Sequence, residues 1–244
     1  MKNQIFIGTA GWSIPSAQAE HFPGEGTHLQ RYAQVLNAAE INTSFYRPHQ
    51  PRTYAKWAAS VPGNFHFAVK IPKQITHEKR LRDAEILLDN FLSEFSNLGQ
   101  NLGPLLLQLP PSESFNLDVA AKFFDHFRNK FTGAIVCEPR HLTWFSPQAE
   151  KLLIDFQIAR AATDPAISPR ASTPGGWNGV VYYRLHGAPK MYYSNYSDEF
   201  LSELNVKLHQ TSEYSAVWCI FDNTAEFAAT ANALTLLNLS RSLL

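Results

Sequence analysis

Eight short apolar runs recur along this chain, each followed by a polar or charged cluster and separated by segments of helical period. The runs occupy residues 5–9, 40–46, 65–70, 105–109, 134–138, 158–164, 180–186 and 217–223. Strands that alternate with helices pair in parallel through right-handed crossovers. Eight such units in 244 residues match the ~250 residues of a closed eight-stranded barrel. The pattern therefore predicts an α/β fold, a single (β/α)8 barrel of the TIM type covering residues 1–244, with one active-site mouth at the C-terminal ends of its strands.

Helices are expected over 30–37, 53–60, 83–98, 118–131, 147–156, 198–210 and 225–237. Asp198 and Thr224 suit N-caps, Pro147 suits a first helical turn, and Gly99 and Gly133 suit endings. Within 83–98, Ile86, Leu87, Phe91, Leu92, Phe95 and Leu98 recur at three- and four-residue steps, with Asn90 the polar exception, as a helix packed on a sheet requires. The loops after the strands are the longer ones. Residues 12–28 and 165–179 concentrate Pro and Gly, and 187–197 sets three tyrosines around Lys190.

A core of this size needs apolar material, and 45% hydrophobic residues with 13% aromatics supply it. No stretch approaches ~18 uninterrupted apolar residues, so no membrane span is expected. Residues 1–4 leave no hydrophobic signal region before the first run, which points to the cytoplasm. Twenty-one basic residues balance 21 acidic ones, a charge that lacks the strongly basic footprint of a duplex-binding protein. Cys137 and Cys219 fall in separate runs without zinc-type spacing and read as buried, reduced thiols. Nothing in these patterns specifies an oligomeric state.

Parity selects the chemistry. In a barrel alternate side chains point inward, and the last inward residue of each strand looks into the mouth. Glu40, Asn42, Ser44 and Tyr46 share one face of the second run, and Tyr182, Arg184 and His186 share one face of the seventh. Lys70, Glu138 and Asp222 end the third, fifth and eighth runs, and Gln108 lies inward on the fourth. A buried charge is tolerated only when paired, so an Arg184 to Glu138 contact is expected.

Five converging ionisable residues, Lys70, Glu138, Arg184, His186 and Asp222, exceed what packing requires, although a structural ion network would use the same groups. Glu138 and His186 form the expected acid/base pair, and Lys70 the anchor for an anion or an amine nucleophile. Trp12, Asn42, Tyr46, Gln108, Arg140, Arg184, Asp222 and Asn223 complete the expected site as substrate-binding residues. Glu138, His186 and Asp222 could in principle hold a metal. Catalytic zinc, however, usually has several nitrogen or sulfur ligands, and no HxH or HExxH spacing occurs, so neither a metal nor another cofactor is expected.

GTAGW at 8–12, EINTSFYRP at 40–48, FAVKIPKQITHEKRL at 67–81, LGPLLLQLPPS at 102–112, CEPRHLTWF at 137–145, YYRLHG at 182–187 and FDNT at 221–224 together resemble the YecE-like family, a barrel domain of unknown function. The resemblance runs from first strand to last in the same order. It implies a TIM-type barrel with these motifs at the strand ends, and no settled reaction. The last motif usually reads FNND in that family. That departure makes Asp222 doubtful as a catalytic carboxylate and Asn223 the safer site residue.

Three functions compete. The leading expectation is an enzyme that applies proton transfer or hydrolysis to a small anionic substrate, such as a phosphorylated or carboxylated sugar derivative, with Lys70 and Arg184 on the anion. The second is binding or processing of single-stranded or damaged nucleic acid, because the family's barrel is similar to that of metal-dependent endonucleases for abasic DNA. Trp144, Trp177, Tyr192 and Tyr193 would then stack on bases and Arg47, Arg80, Arg140 and Lys190 would meet phosphates. The third is a non-catalytic sensor that binds a ligand in the same pocket.

Overall fold

The computed structural model describes residues 4–211 and 216–242. Its strands are β1 (Gln4–Ala10), β2 (Ala38–Ile41), β3 (His66–Lys70), β4 (Leu102–Gln108), β5 (Ile135–Glu138), β6 (Ile158–Arg160), β7 (Ala162–Asp164), β8 (Gly175–Gly176), β9 (Val181–Leu185) and β10 (Ala216–Phe221). The α-helices are α1 (His28–Tyr32), α2 (Pro51–Ala58), α3 (Glu85–Glu94), α4 (Leu117–Lys130), α5 (Pro147–Asp155), α6 (Asp198–Gln210) and α7 (Ala228–Ser242).

The strands run β7-β9-β10-β1-β2-β3-β4-β5-β6-β8 across one sheet, and all pairs are parallel except β6 with β8. The ring closes inside the sixth apolar run. Residues 158–164 were expected as one strand, but the run divides at Ala161, whose N–H donates to Cys137 O at 2.9 Å. Its first half, β6, pairs with β5 and its second half, β7, pairs with β9. One run thus bridges the two edges, and the wall is an eight-unit barrel of the TIM type. The sixth unit carries no α-helix among the described residues. Its loop folds into a short turn at Pro169–Ser172 and returns as β8.

Two apolar layers follow from this alternation. Phe6, Ala38, Ala68, Leu106, Val136, Ala159, Tyr182, Trp218 and Ile220 fill the barrel interior. Their chain neighbours, among them Ile7, Ala39, Val69, Leu107, Cys137, Tyr183 and Phe221, face the helices in the larger cluster. Both cysteines are free and buried in that outer layer, as expected. No described helix is long and apolar enough to cross a membrane. The reading of residues 1–4 as free of a signal segment falls mostly outside the described residues.

The second strand differs from its expected span. β2 ends at Ile41, and Asn42 takes a helical conformation that leads into a turn at Thr43–Phe45. Ser44 drives the break, because its hydroxyl donates to Ile41 O at 2.8 Å and to Lys70 O at 2.6 Å, a local alternative to the sheet ladder. Helix limits also move. Ser197, not Asp198, caps α6 by accepting from Phe200 N. Thr224 precedes a non-helical turn, with Phe227 at φ 63°, and α7 starts only at Ala228. Gly99, at φ 53°, breaks the chain past α3 within a short turn at Ser96–Asn101, and glycine tolerates that conformation without strain.

Candidate active site

β9 keeps the period of two that the seventh run predicted: Tyr182 joins the interior, while Val181, Tyr183 and Leu185 join the outer layer. Arg184 therefore reaches the barrel axis, fully buried. Its Nη2 and Nε donate to Glu40 Oε1 and Oε2 at 2.7 and 3.0 Å. Its Nη1 donates to Glu138 Oε2 at 3.2 Å, and Asp222 Oδ2 lies 3.0 Å from Nη2. Burial opposes this charge, but Asp222, Glu40 and Glu138 outweigh it and hold the guanidinium protonated well above its ordinary range.

Glu138 is divided between two arginines. Arg140 Nε donates to its Oε1 at 2.6 Å while Arg184 takes the other oxygen. Burial alone would raise this carboxyl, yet the Arg140 and Arg184 charges keep it well below the usual carboxylate range. His186 is also enclosed. Arginine can only donate, so the 2.7 Å contact from Arg140 Nη2 makes His186 Nε2 an acceptor. The ring proton then sits on Nδ1 and is donated to Asp222 Oδ2 at 3.0 Å. Asp222 is likewise lowered, with the Arg184 charge and the His186 bond overcoming burial.

Lys70 differs from all of these. It is nearly buried at the end of β3, and its Nζ lies 4.2 Å from the centroid of the Phe45 ring. No ion pair or hydrogen bond joins its Nζ to another described residue, because the neighbouring carboxylates already serve Arg184, Arg140, Tyr182 and His186. Burial, and then the charge of Arg184, lower its pKa from 10.5 to about 8 despite Glu40, Glu138 and Asp222.

Lys70, Glu138, Arg140, Arg184, His186 and Asp222 thus come together, and the expected Arg184 to Glu138 contact is present. Gln108 pairs in register with Glu138 at the same level. Asn42 Oδ1 is buried without a hydrogen-bond partner among the described residues. Other expected site residues lie elsewhere. Trp12 packs edge-on against Trp57 and Phe67, on the helix side of the wall, because the chain leaves the β1 ladder at Gly11, φ 79°. Tyr46 is two-thirds exposed on the turn that replaced the expected strand.

Asn223 is corrected too. It follows inward Asp222, so it points outward, and its amide donates to Ser194 O and Asn232 Oδ1, both at 2.9 Å. It ties the loop after β9 to α7 and leaves the ion network to Asp222. Glu138, His186 and Asp222 do not form a metal-ligand group among the described residues, since both imidazole nitrogens already have partners.

Four participants escaped the sequence reading. Glu40 was placed inward by parity, yet Arg184 was assigned to Glu138 alone. Tyr182, on the same face as Arg184, donates its hydroxyl to Glu40 Oε2 at 3.0 Å. Phe45, on the turn after β2, carries the Lys70 amine. His77 lies in a π-helical turn at Gln74–Glu78 and meets the Phe45 ring edge-on at 4.9 Å. Such turns recur at functional sites. Burial, then the charges of Lys70 and Arg140, lower the His77 pKa.

Residues 6–243 match the family model of "Protein of unknown function DUF72". The chain is 30% identical over 167 residues to UPF0759 protein YecE of Escherichia coli O157:H7, a match that covers 67% of this chain and 58% of that protein. The chain thus spans under two thirds of the length of that relative. The crystal structure of a DUF72 family protein from Enterococcus faecalis V583 superposes with a TM-score of 0.81 at 22% identity, covering 98% of this chain and 96% of that one. A DUF72 family protein from Thermotoga maritima MSB8 superposes with a TM-score of 0.76 at 23% identity, with 99% of each chain covered. These two likenesses concern the fold. Family match, motif order and barrel agree: the chain belongs to DUF72, the YecE-like family of unknown function.

Proposed function

We propose that the barrel mouth is the active site of an enzyme that performs acid/base chemistry on a small anionic, sugar-like substrate. One observation carries the reading: Lys70 is a nearly buried amine with no ion-pair partner among the described residues, surrounded by carboxylates that arginines have already claimed. A buried cation in that position is costly unless an anion joins it. A phosphate or carboxylate between Lys70 and Arg140 supplies that partner. With a pKa of about 8, the amine holds an anion near neutrality and still exchanges a proton readily.

The other charges orient. Arg184 has spent its donors on Glu40, Glu138 and Asp222, so the anion falls to Lys70 and Arg140 and not to Arg184. Glu138, held ionised, positions Arg140, and His186 fixes the same guanidinium from the other side. The expected Glu138 and His186 pair is therefore a brace in this reading, and Lys70 is the group that moves a proton. Asn42 Oδ1 remains as an acceptor for a substrate hydroxyl.

Thermal-shift measurements with inorganic phosphate, sugar phosphates, sugar acids and neutral sugars test this. The anionic compounds should raise the melting temperature of the wild type and fail to do so with Lys70→Ala or Arg140→Ala. Indifference of the wild type to every anion would end the proposal. A second reading, capture of single-stranded nucleic acid, has one observation in its favour: Tyr46, Tyr192, Tyr193 and Phe227 stand exposed on loops at this end of the barrel, with Lys190 over the Tyr193 ring at 3.8 Å. It predicts oligonucleotide binding that falls steeply with added salt.

A further inference from the structure

The placement of Lys70 specifies more than an anion anchor. An ammonium whose task is electrostatic is normally met by a carboxylate, and three carboxylates are close enough here to feel it. Each is instead drawn toward an arginine: Glu40 to Arg184, Glu138 to Arg140 and Arg184, and Asp222 to Arg184. The amine faces an aromatic ring instead of an oxygen. His77 meets the same ring, and its Nδ1 lies 2.8 Å from the Thr76 hydroxyl, which leaves Nε2 unengaged among the described residues. A desolvated amine beside a fixed cation and a proton-transfer group is the arrangement that amine nucleophiles use toward carbonyl carbon.

We propose that Lys70 forms a Schiff base with a small aldehyde or ketone, that His77 relays the protons of its formation, and that Arg140 holds the substrate's anionic group. This rests on the reading above and adds the carbonyl as the substrate's reactive group. The neutral Nζ adds to the carbonyl carbon, and the C=O π pair moves to oxygen. His77 carries one proton from the new ammonium nitrogen to that oxygen, which gives a neutral carbinolamine. It then carries the second N–H proton to the hydroxyl as the C–O bond breaks, the nitrogen pair closes the C=N bond and water leaves. Amine and carbonyl thus give imine and water, with no oxidant or reductant consumed. The lowered pKa of Lys70, about 8, keeps part of the amine neutral near physiological pH.

Reductive trapping tests the inference. The full chain is incubated with pyruvate, dihydroxyacetone phosphate or glycolaldehyde, treated with sodium borohydride, and read by intact mass and peptide mapping. The expected result is one equivalent of reduced adduct on Lys70 with at least one carbonyl. The adduct should be missing in Lys70→Arg, and its formation should slow roughly 10²-fold in His77→Gln, the scale of a lost proton-transfer group. Mapping the wild type locates the adduct even if a variant folds poorly. No adduct, or an adduct spread evenly over surface lysines, overturns the inference.

Glycerol 3-phosphate and lactate, which lack the carbonyl, separate the two claims. If they stabilise the protein while no carbonyl is trapped, the Schiff base fails and the anion reading stands. If glycolaldehyde is trapped on Lys70 while no anion stabilises the protein, the covalent step stands and the anion reading fails.

Discussion

Glu40 and Arg184, 144 residues apart in the chain, form a bidentate pair on the barrel axis with contacts of 2.7 and 3.0 Å. Both side chains are closed to solvent, so neither charge can be hydrated if its partner is lost. Removing one member of a buried pair costs about 3–5 kcal/mol, whereas replacing both with apolar groups is gentler. Glu40→Gln should therefore lose stability on that scale in urea unfolding. A Glu40→Met, Arg184→Met double variant should lose less than the sum of its single variants. Strict additivity would show that the pair does not act as a unit.

Lys70 gives a pH dependence of the opposite sense to that of an ion-paired lysine. Its folded pKa of about 8 lies below its ordinary 10.5. Between these values the unfolded chain binds a proton that the folded chain has released, so stability rises with pH across this window. Below about pH 8 both states bind the proton, and the folded state carries the full penalty of a buried ammonium, on the order of 3 kcal/mol for this shift. Lys70→Met should stabilise the protein near pH 7, and its advantage should fade as pH rises toward about 10. Urea midpoints of the two proteins at both pH values check this, and an advantage that does not change with pH would contradict it.

How much of the site was legible depended on which segments kept a regular period. Arg184 and His186 were readable because β9 runs straight, and the period of two places them inward with Tyr182. The same rule places Asp222 inward after Trp218 and Ile220. The amide usual in the family motif argued only against a catalytic role for Asp222, and the geometry sets its carboxylate against Arg184 and His186. In the second run, hydroxyl-to-backbone bonds from Ser44 ended the strand at Ile41, so alternation carried no information about Tyr46 or Phe45. His77 was beyond reach, since a π-helical turn follows neither the strand nor the α-helix period. The barrel itself was legible because eight runs and their spacing survive such local errors. The partner exchange at Ala161 was not, because it depends on which neighbour each half of the run meets.

Gly8 offers a test of how the wall holds the site. A Cβ there would collide with the carbonyl of Ala38 and press on the Tyr32 hydroxyl, which bonds to Thr9 N at 2.9 Å and Ala38 O at 3.0 Å. Backbone is on the far side of the contact, so relief requires β1 and β2 to separate. Gly8→Ala should destabilise by roughly 1–3 kcal/mol, the range for overpacking, and move Glu40, which pairs in register with Ala10. Calorimetry gives the first quantity. A melting temperature equal to that of the wild type would mean that the strands have slack here.

Asp222→Asn should retune Lys70 without dismantling the barrel. Asp222 Oδ2 accepts from His186 Nδ1 and meets Arg184 Nη2 at 3.0 Å. An asparagine oxygen can keep one of these contacts, and the YecE-like motif usually carries an amide at this position, so the fold should persist with a loss of about 1–3 kcal/mol. The lost charge acts at a distance. Asp222 is one of three carboxylates that favour the protonated form of Lys70, against burial and Arg184. Its neutralisation should push the Lys70 titration further below about 8. Carbon-13 NMR of the lysine ε-methylene reads that midpoint directly, and any borohydride-trapped adduct should reach its maximal yield at lower pH in the variant. A midpoint that stays in place would show that Asp222 acts only on Arg184 and His186, and that the charge balance at the amine is set by Glu40 and Glu138.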